Sequence, residues 1–364
     1  MKGRCMYSYQ ELLIPMEFRE AKALLAEAGL EFPDGVTFSL GAYADGRLAG
    51  TGFLAGNVVC GICVSPEHQG SGLAAAIVSR LVQHALETGM HHLMLFTKPV
   101  EADKFGEIGF HALAATGSAA LLEWGRPDYA AWLRETKAEL EVSASGNASN
   151  TAGEPDSSFD FPLGAIVMNA NPFTLGHKSL VLEALARCRR VVVFVVEEEA
   201  STFPFSVRYA LVREGLIDQA RAIVRSGGPY MVSRASFPSY FTGKAEHSRV
   251  HAELDCTLFA SRIAPDLGVS ARFVGEEPYD AVTAAYNATM GDILPRYGVT
   301  CVEVPRLAEN GAAISASAVR AALRKEGEGT TALEHLVPAS TAAFLHSPEA
   351  EPIIAALRKL DGRH

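Results

Sequence analysis

The stretch Leu163-Gly-Ala-Ile-Val-Met-Asn-Ala-Asn-Pro-Phe-Thr-Leu-Gly-His-Lys178 decides how the second half of this chain folds. Its first six residues are apolar or small without alternation, which predicts a strand covered on both faces. Beyond the Asn-Pro step, Leu180, Val181, Ala184, Leu185 and Cys188 recur at helical spacing, so a helix lays one stripe on the sheet. Thr174 reads as its N-cap, and Gly176 leaves room for backbone to approach a ligand closely. The free N–H groups of the first turn and the helix dipole favour an anion there. His177, in that turn, can donate a hydrogen bond to a phosphate oxygen as charge moves. The plain alternative is a capped helix that happens to carry a histidine.

Downstream, strand and helix alternate. Strands are predicted at 164–168, 190–196, 230–233, 271–274 and 300–304, with helices at 178–187, 206–223, 249–264, 283–294 and 318–324. Five strands with crossover helices imply a doubly wound parallel sheet whose ligands bind at the carboxyl ends of the strands. A second anchor, Ile314-Ser-Ala-Ser-Ala-Val-Arg320, places Ser315 and Ser317 at a helix start and Arg320 one turn in. Hydroxyls, backbone donors and a guanidinium together suit β- and γ-phosphates. Between the anchors, Phe273-Val-Gly-Glu-Glu-Pro-Tyr279 ends the fourth strand. Gly275 allows close approach there, and Glu276 or Glu277 can accept from an adenine amine or a ribose hydroxyl, or help hold Mg²⁺. No GxxxxGK[ST] run is present, so a P-loop mechanism is unsupported.

At 364 residues, two domains are the default expectation. A formal charge of −10 argues against a nucleic-acid surface, and no apolar run approaches the ~18–20 residues of a membrane span. The beginning of the chain lacks a secretory apolar segment, and the six cysteines are scattered, as in a reduced cytoplasmic protein. Cys60-Gly-Ile-Cys63 lacks a second ligand pair and sits in a strand-like run, so no metal ligands are assigned. Residues 142–158 are rich in Ser, Gly, Asn and Pro and read as a linker. The expected division is 1–140, a linker at 141–160, a catalytic domain at 161–345 and a helical tail at 346–364.

The first domain reads as α+β: a helix at 18–28, strands at 36–43, 47–55 and 57–64, a helix at 73–87 and a strand at 92–97. After the third strand, Gln69-Gly-Ser-Gly-Leu-Ala74 opens the helix. Its backbone N–H groups can cradle a pyrophosphate.

These residues carry two resemblances. Gln69, Gly72 and Ala74 match motif A of the GNAT acyltransferases (Q/R-x-x-G-x-G/A), and Phe105-Gly-Glu-Ile-Gly-Phe110 resembles a late GNAT segment. That implies a GNAT-like domain in which Gln69, Gly70, Gly72 and Ala74 hold a CoA-like, phosphopantetheine-bearing group. Glu67, His68 and His111 are the candidate bases, with a plain surface role as the alternative. From about Phe161 to Leu323 the chain resembles the nucleotidyltransferase superfamily, with its HxGH and SxxR motifs, and more closely the citrate lyase ligase family. The matching stretches are 169–177, 237–241, 274–279 and 314–320.

The resemblance implies a Rossmann-like domain in which His177, Thr174 and Arg320 serve the chemistry. Asn169, Asn171, Phe173, Gly176, Gly275, Glu276, Ser315 and Ser317 would bind ATP. Thr174 stands where the superfamily has its first histidine, so no histidine chemistry is expected at that position. The implied reaction takes acetate, ATP with Mg²⁺ and the thiol of the citrate lyase acyl carrier subunit through acetyl adenylate to an acetyl thioester, AMP and pyrophosphate. The same motifs also suit an acetate ligase for the malonate decarboxylase carrier, a pantetheine-phosphate or nicotinamide-mononucleotide adenylyltransferase, or a non-catalytic nucleotide or acyl-CoA sensor.

Overall fold

The structure, a computed structural model, describes residues 6–146, 158–197, 201–231, 244–278, 280–309, 312–324 and 333–360. The chain forms two compact units, Met1–Trp132 with Phe237–Leu258, and Leu133–Ser236 with Phe259–His364.

The first unit runs β1 (Tyr7–Glu11), α1 (Pro15–Glu27), β2 (Phe38–Ala44), β3 (Arg47–Ala55), β4 (Val58–Val64), α2 (Leu73–Glu87), β5 (His92–Thr97), α3 (Ala102–Gly106), β6 (His111–Ala115) and β7 (Ala120–Gly125). Its sheet has the order β1-β2-β3-β4-β5-β7-β6. Neighbours are antiparallel except β4 and β5, which run parallel and pair only at Val58↔Met94 and Val59↔Leu95. Helix α2 forms because Leu73, Ile77, Leu81 and Ala85 recur every four residues, and all four are buried on the sheet. It ends where Gly89 takes φ +82°, with Gly89 N–H on Leu86 O and Met90 N–H on Ala85 O, a Schellman closure. Helix α1 covers the opposite face with Leu24 and Leu25 over Phe53, Cys60 and Cys63. Burial pushes the Cys60 thiol up to about 12, so this cysteine packs as a small apolar residue. Strand β1 escapes the sequence pattern because it is a short edge strand with no buried residue.

Helix α4 (Tyr129–Gly146) remains helical through the first residues of the stretch expected to be linker, and 147–157 lie outside the described residues. The second unit continues with β8 (Phe161–Met168), α5 (Leu175–Arg187), β9 (Cys188–Val195), α6 (Phe205–Gly215) and β10 (Ala222–Ser226). Helix α7 (Lys244–Leu258) belongs to the first unit and packs against β6. A π-helical turn, Phe259–Ile263, leads to α8 (Ala264–Leu267), β11 (Ala271–Gly275), α9 (Ala281–Ile293) and β12 (Thr300–Val304). A small hairpin, β13 (Ala308–Glu309) and β14 (Ala312–Ala313), precedes α10 (Ala316–Arg324), α11 (Ala339–Leu345) and α12 (Glu351–Leu360).

The five long strands form one parallel sheet in the order β10-β9-β8-β11-β12, the doubly wound arrangement that the alternation predicts. Val191 to Val195 are all fully buried, as a central strand covered by helices on both faces requires. One strand is shifted from its predicted place. It lies at Ala222–Ser226 and not at 230–233, and the preceding helix stops at Gly215. Pairing of Ile223 and Val224 with Val192 and Val193 outweighs the local helical preference of Gln219-Ala-Arg-Ala222. Tyr230 instead closes a 3₁₀ turn, Gly228–Tyr230.

Candidate active site

Strand β8 ends at Met168, and the turn from Asn169 to Phe173 leads into α5 at the carboxyl edge of the sheet. Thr174 caps the helix, its hydroxyl accepting from His177 N–H at 3.3 Å. The His177 side chain reaches back, and its Nδ1 accepts the Thr174 backbone N–H at 3.1 Å, with the Thr174 hydroxyl 2.9 Å away. This is a capping box with histidine in the place usually held by Glu or Gln. A ring nitrogen that accepts a backbone N–H carries no proton, so the neutral ring carries its proton on Nε2. The ring stacks on buried Phe173 at 5.8 Å. Burial, then the charges of Arg306 and Arg320, hold His177 down to about 4. At neutral pH it is therefore an uncharged donor with a fixed tautomer.

Ser315 caps α10 by accepting from Ala318 N–H at 3.1 Å, which leaves its own O–H to donate. Arg320 donates to Asn171 O and, at 3.3 Å, to the Ser317 hydroxyl. Burial, with Arg324 nearby, lowers the Arg320 pKa while leaving it a cation. A side chain on Gly176 would meet Ile314 O at 2.4 Å, so the glycine lets the loop before α10 close onto the start of α5. Two helix N-termini, a neutral histidine and arginines thus converge at the carboxyl edge of β8, β11 and β12. Such a set of donors can hold a multiply charged anion.

In the first unit, β4 and β5 are unpaired beyond Val59 and Leu95, and a cleft of about 740 Å³ lies along them. Ile62, Val64, Leu95, Phe96, Phe105 and Ile108 give it apolar walls, with Gly70, Gly72 and Ala74 at one end. Gly70 and Gly72 have φ of +74° and +82°, turning backbone toward that end, and Gly72 is the N-cap of α2. Gln69 donates from Nε2 to Val64 O at 3.4 Å and closes the loop. His68, also on the cleft, lies 3.0 Å through Nδ1 from the Tyr7 hydroxyl. Glu67 and His111 are exposed.

Residues 163–345 match the family model of the citrate lyase ligase C-terminal domain, and residues 6–113 match the acetyltransferase (GNAT) family. The chain belongs to the citrate lyase ligase family. A citrate (pro-3S)-lyase ligase of Klebsiella pneumoniae is 36% identical over 305 residues, covering 82% of this chain and 84% of that protein. One from Escherichia coli K12 is 34% identical, covering 83% of each chain. One from Haemophilus influenzae is 32% identical, covering 92% and 95%. The protein is accordingly an enzyme of the ligase class in an ATP-using family, with a GNAT-like first domain. No described helix is long and apolar enough to cross a membrane.

The residues singled out in the sequence divide into those that face the site and those that build it. His177, Ser315, Ser317 and Arg320 stand together. Phe173 is fully buried and backs the His177 ring, its carbonyl held by the Thr341 hydroxyl at 3.0 Å. Asn171 accepts Phe203 N–H through its side chain, and Asn169 bonds Ser201, so both brace the loop. Ala170 between them has φ +49° while buried, a strained turn of the kind found at functional sites. Gly275 ends β11 with open space at its Cα, and Glu276 has an exposed carboxylate. The matching stretch 237–241 lies outside the described residues.

Sequence reasoning missed Arg208, Thr341 and Arg306. Arg208 is fully buried and donates to Phe203 O, Asn169 O and Val196 O, tying the loops after β8 and β9 together. No sequence signal marks it, because an arginine on a helix ordinarily reads as a surface residue. Arg306 had a signal: it closely follows a strand predicted to end at the binding edge.

Proposed function

We propose that this protein uses ATP to acetylate the thiol prosthetic group of the citrate lyase acyl carrier subunit, by way of acetyl adenylate. The observation that carries this is the meeting of His177 and the two helix N-termini at one strand edge, inside a family of carrier-charging ligases. An acetate oxygen attacks the α-phosphorus, the bond to the bridging oxygen breaks, and pyrophosphate leaves. His177 Nε2–H donates to an α-phosphoryl oxygen. Ser315, Ser317, Arg320 and the start of α10 hold the leaving phosphates. The carrier sulfur then attacks the acetyl carbon, AMP departs, and the thiol proton passes to solvent.

No group of three or more His, Cys, Asp or Glu that could hold a metal is found among the described residues. Mg²⁺ fits this site as an ion carried on the triphosphate, not in a protein cage, where it would neutralise phosphate charge. The first unit's cleft we assign to the pantetheine and diphosphate of the carrier's CoA-like group, with the diphosphate at Gly70 to Ala74. Its apolar walls suit the arm, and tethering raises the thiol's effective concentration at the adenylate. The cytoplasm, where ATP is supplied and thiols stay reduced, is the proposed location.

Acetate-dependent exchange of labelled pyrophosphate into ATP tests the first half. Exchange that ignores acetate, with a dinucleotide formed from phosphopantetheine or nicotinamide mononucleotide, would sink it. Gly72→Asp tests the second, because aspartate tolerates this backbone conformation and the N-cap while setting a negative charge against the diphosphate. Exchange should survive while carrier acetylation falls at least tenfold; unchanged acetylation would refute the assignment. Deleting residues 1–140 is a poorer test, since α7 packs against β6 and would lose its partner.

A further inference from the structure

Triphosphate and acetate are both anions, and the donors described so far account for only one of them. The short hairpin between β12 and α10 brings a further cation to the same strand edge. Its strands pair Ala308 with Ala313 and Glu309 with Ala312, and Ile314 N–H closes it on Leu307 O at 3.0 Å. The two feet of the hairpin are therefore Arg306 and Ser315, brought side by side. The Ile314 carbonyl packs against Gly176, one residue before His177. Backbone geometry alone thus puts Arg306 at the mouth of the site beside the α5 turn.

The guanidinium of Arg306 is fixed in orientation. Its Nε donates to Glu276 O, and its Nη2 pairs with the Glu277 carboxylate. Glu277 also accepts Asp280 N–H at 3.2 Å, so the partner is itself held. The Arg306 side chain keeps 28% exposure against 9% for Glu277, so a solute can reach the arginine while its brace stays covered. Two of its nitrogens are engaged, and among the described residues no hydrogen bond is made by Nη1. Beside this anchor, among the described residues no atom other than those of Gly275 and its two chain neighbours lies within 4 Å of where a side chain on Gly275 would begin. Arg320 differs in place and in partners. It stands over the loop after β8 and bonds Asn171 O and Ser317, within the donors assigned to the leaving phosphates.

We propose that Arg306 is the residue that binds the acceptor carboxylate, holding acetate beside His177 while Glu277 keeps the guanidinium in position. This rests on the adenylate-forming reading above. A planar guanidinium recognises a carboxylate through paired N–H groups, and its charge offsets the repulsion that acetate meets on approaching a triphosphate.

The test is steady-state ATP–pyrophosphate exchange by the full-length protein, wild type against Arg306→Gln and Arg306→Lys. Acetate is varied at saturating ATP, and ATP at saturating acetate. Arg306→Gln should raise the KM for acetate about 10- to 100-fold, the range for loss of a charge-assisted pair, with the KM for ATP within about threefold. Arg306→Lys, keeping the charge but not the fork, should fall between. Equal rises in both constants would make Arg306 a phosphate ligand and overturn the assignment, as would an unchanged acetate KM. If calorimetry shows that Arg306→Gln no longer binds ATP, the lysine variant decides: a wild-type acetate KM there also overturns it. A wild type without acetate-dependent exchange would instead defeat the functional reading itself, before any variant is compared.

Discussion

The carbonyl oxygen of Ile314 lies 2.4 Å from the point where a methyl group on Gly176 would stand. These two residues are far apart in sequence, and their contact joins the two halves of the candidate site. Gly176→Ala should therefore push the α10 loop off the α5 turn. About a hundredfold loss of acetate-dependent exchange is expected, the scale of a 1 Å misplacement, with stability lowered by about 1–3 kcal/mol. Wild-type exchange rates in the alanine variant would show that the loop contact is not required.

On the proposed reading, His177→Ala removes the neutral donor assigned to the α-phosphate. Exchange is expected to fall roughly 10²–10³-fold, the usual loss for a transition-state donor. Thr174→Ala leaves the ring in place but removes the hydroxyl that caps α5 and lies beside Nδ1, so about a tenfold loss is expected, with Thr174→Ser close to wild type. A Thr174→Ala enzyme as damaged as His177→Ala would point to a direct role for the hydroxyl.

The pH dependence of stability has a definite sign. His177 is held down to about 4 in the folded protein, first by burial and then by Arg306 and Arg320, against about 6.5 in an unfolded chain. Between those values the unfolded state binds the extra proton, so the His177 contribution is complete above about pH 6.5 and is lost as pH falls toward 4. Thermal unfolding should show wild type losing more stability than His177→Gln between pH 7.5 and 4.5. Parallel losses in the two proteins would contradict the depressed value.

Arg208 holds three backbone carbonyls while fully buried. Arg208→Met keeps much of the side-chain volume but leaves Phe203 O, Asn169 O and Val196 O without this donor. A loss of about 3–5 kcal/mol in denaturant unfolding is expected, along with weakened exchange as the Asn169 loop relaxes. Stability within 1 kcal/mol of wild type, about the worth of one hydrogen bond, would mean that other donors replace it.

Much of this was legible in local pattern. The apolar run at Leu163 to Met168 and the Val191 to Val195 strand announced a covered parallel sheet, because a strand buried on both faces has no reason to alternate. Helix α2 lies where its four-residue spacing puts it, and Thr174 caps α5 as its position implied. Strand β10 was misplaced because its identity comes from pairing with β9, which outweighs local preference.

Local sequence was enough to place a Thr174-capped helix start after the first strand of a doubly wound domain, and a second helix start that bears Ser315, Ser317 and Arg320. Chain-local spacing and capping chemistry suffice for that. Tertiary structure alone decided what Gly176 and Phe173 are for: one admits the Ile314 carbonyl and the other backs the His177 ring. It also set Arg306 against the Glu276 carbonyl and tied Arg208 and Thr341 to the loop after β8. Those roles depend on atoms brought within hydrogen-bonding or van der Waals reach across long stretches of chain, and no periodicity in the sequence encodes such meetings.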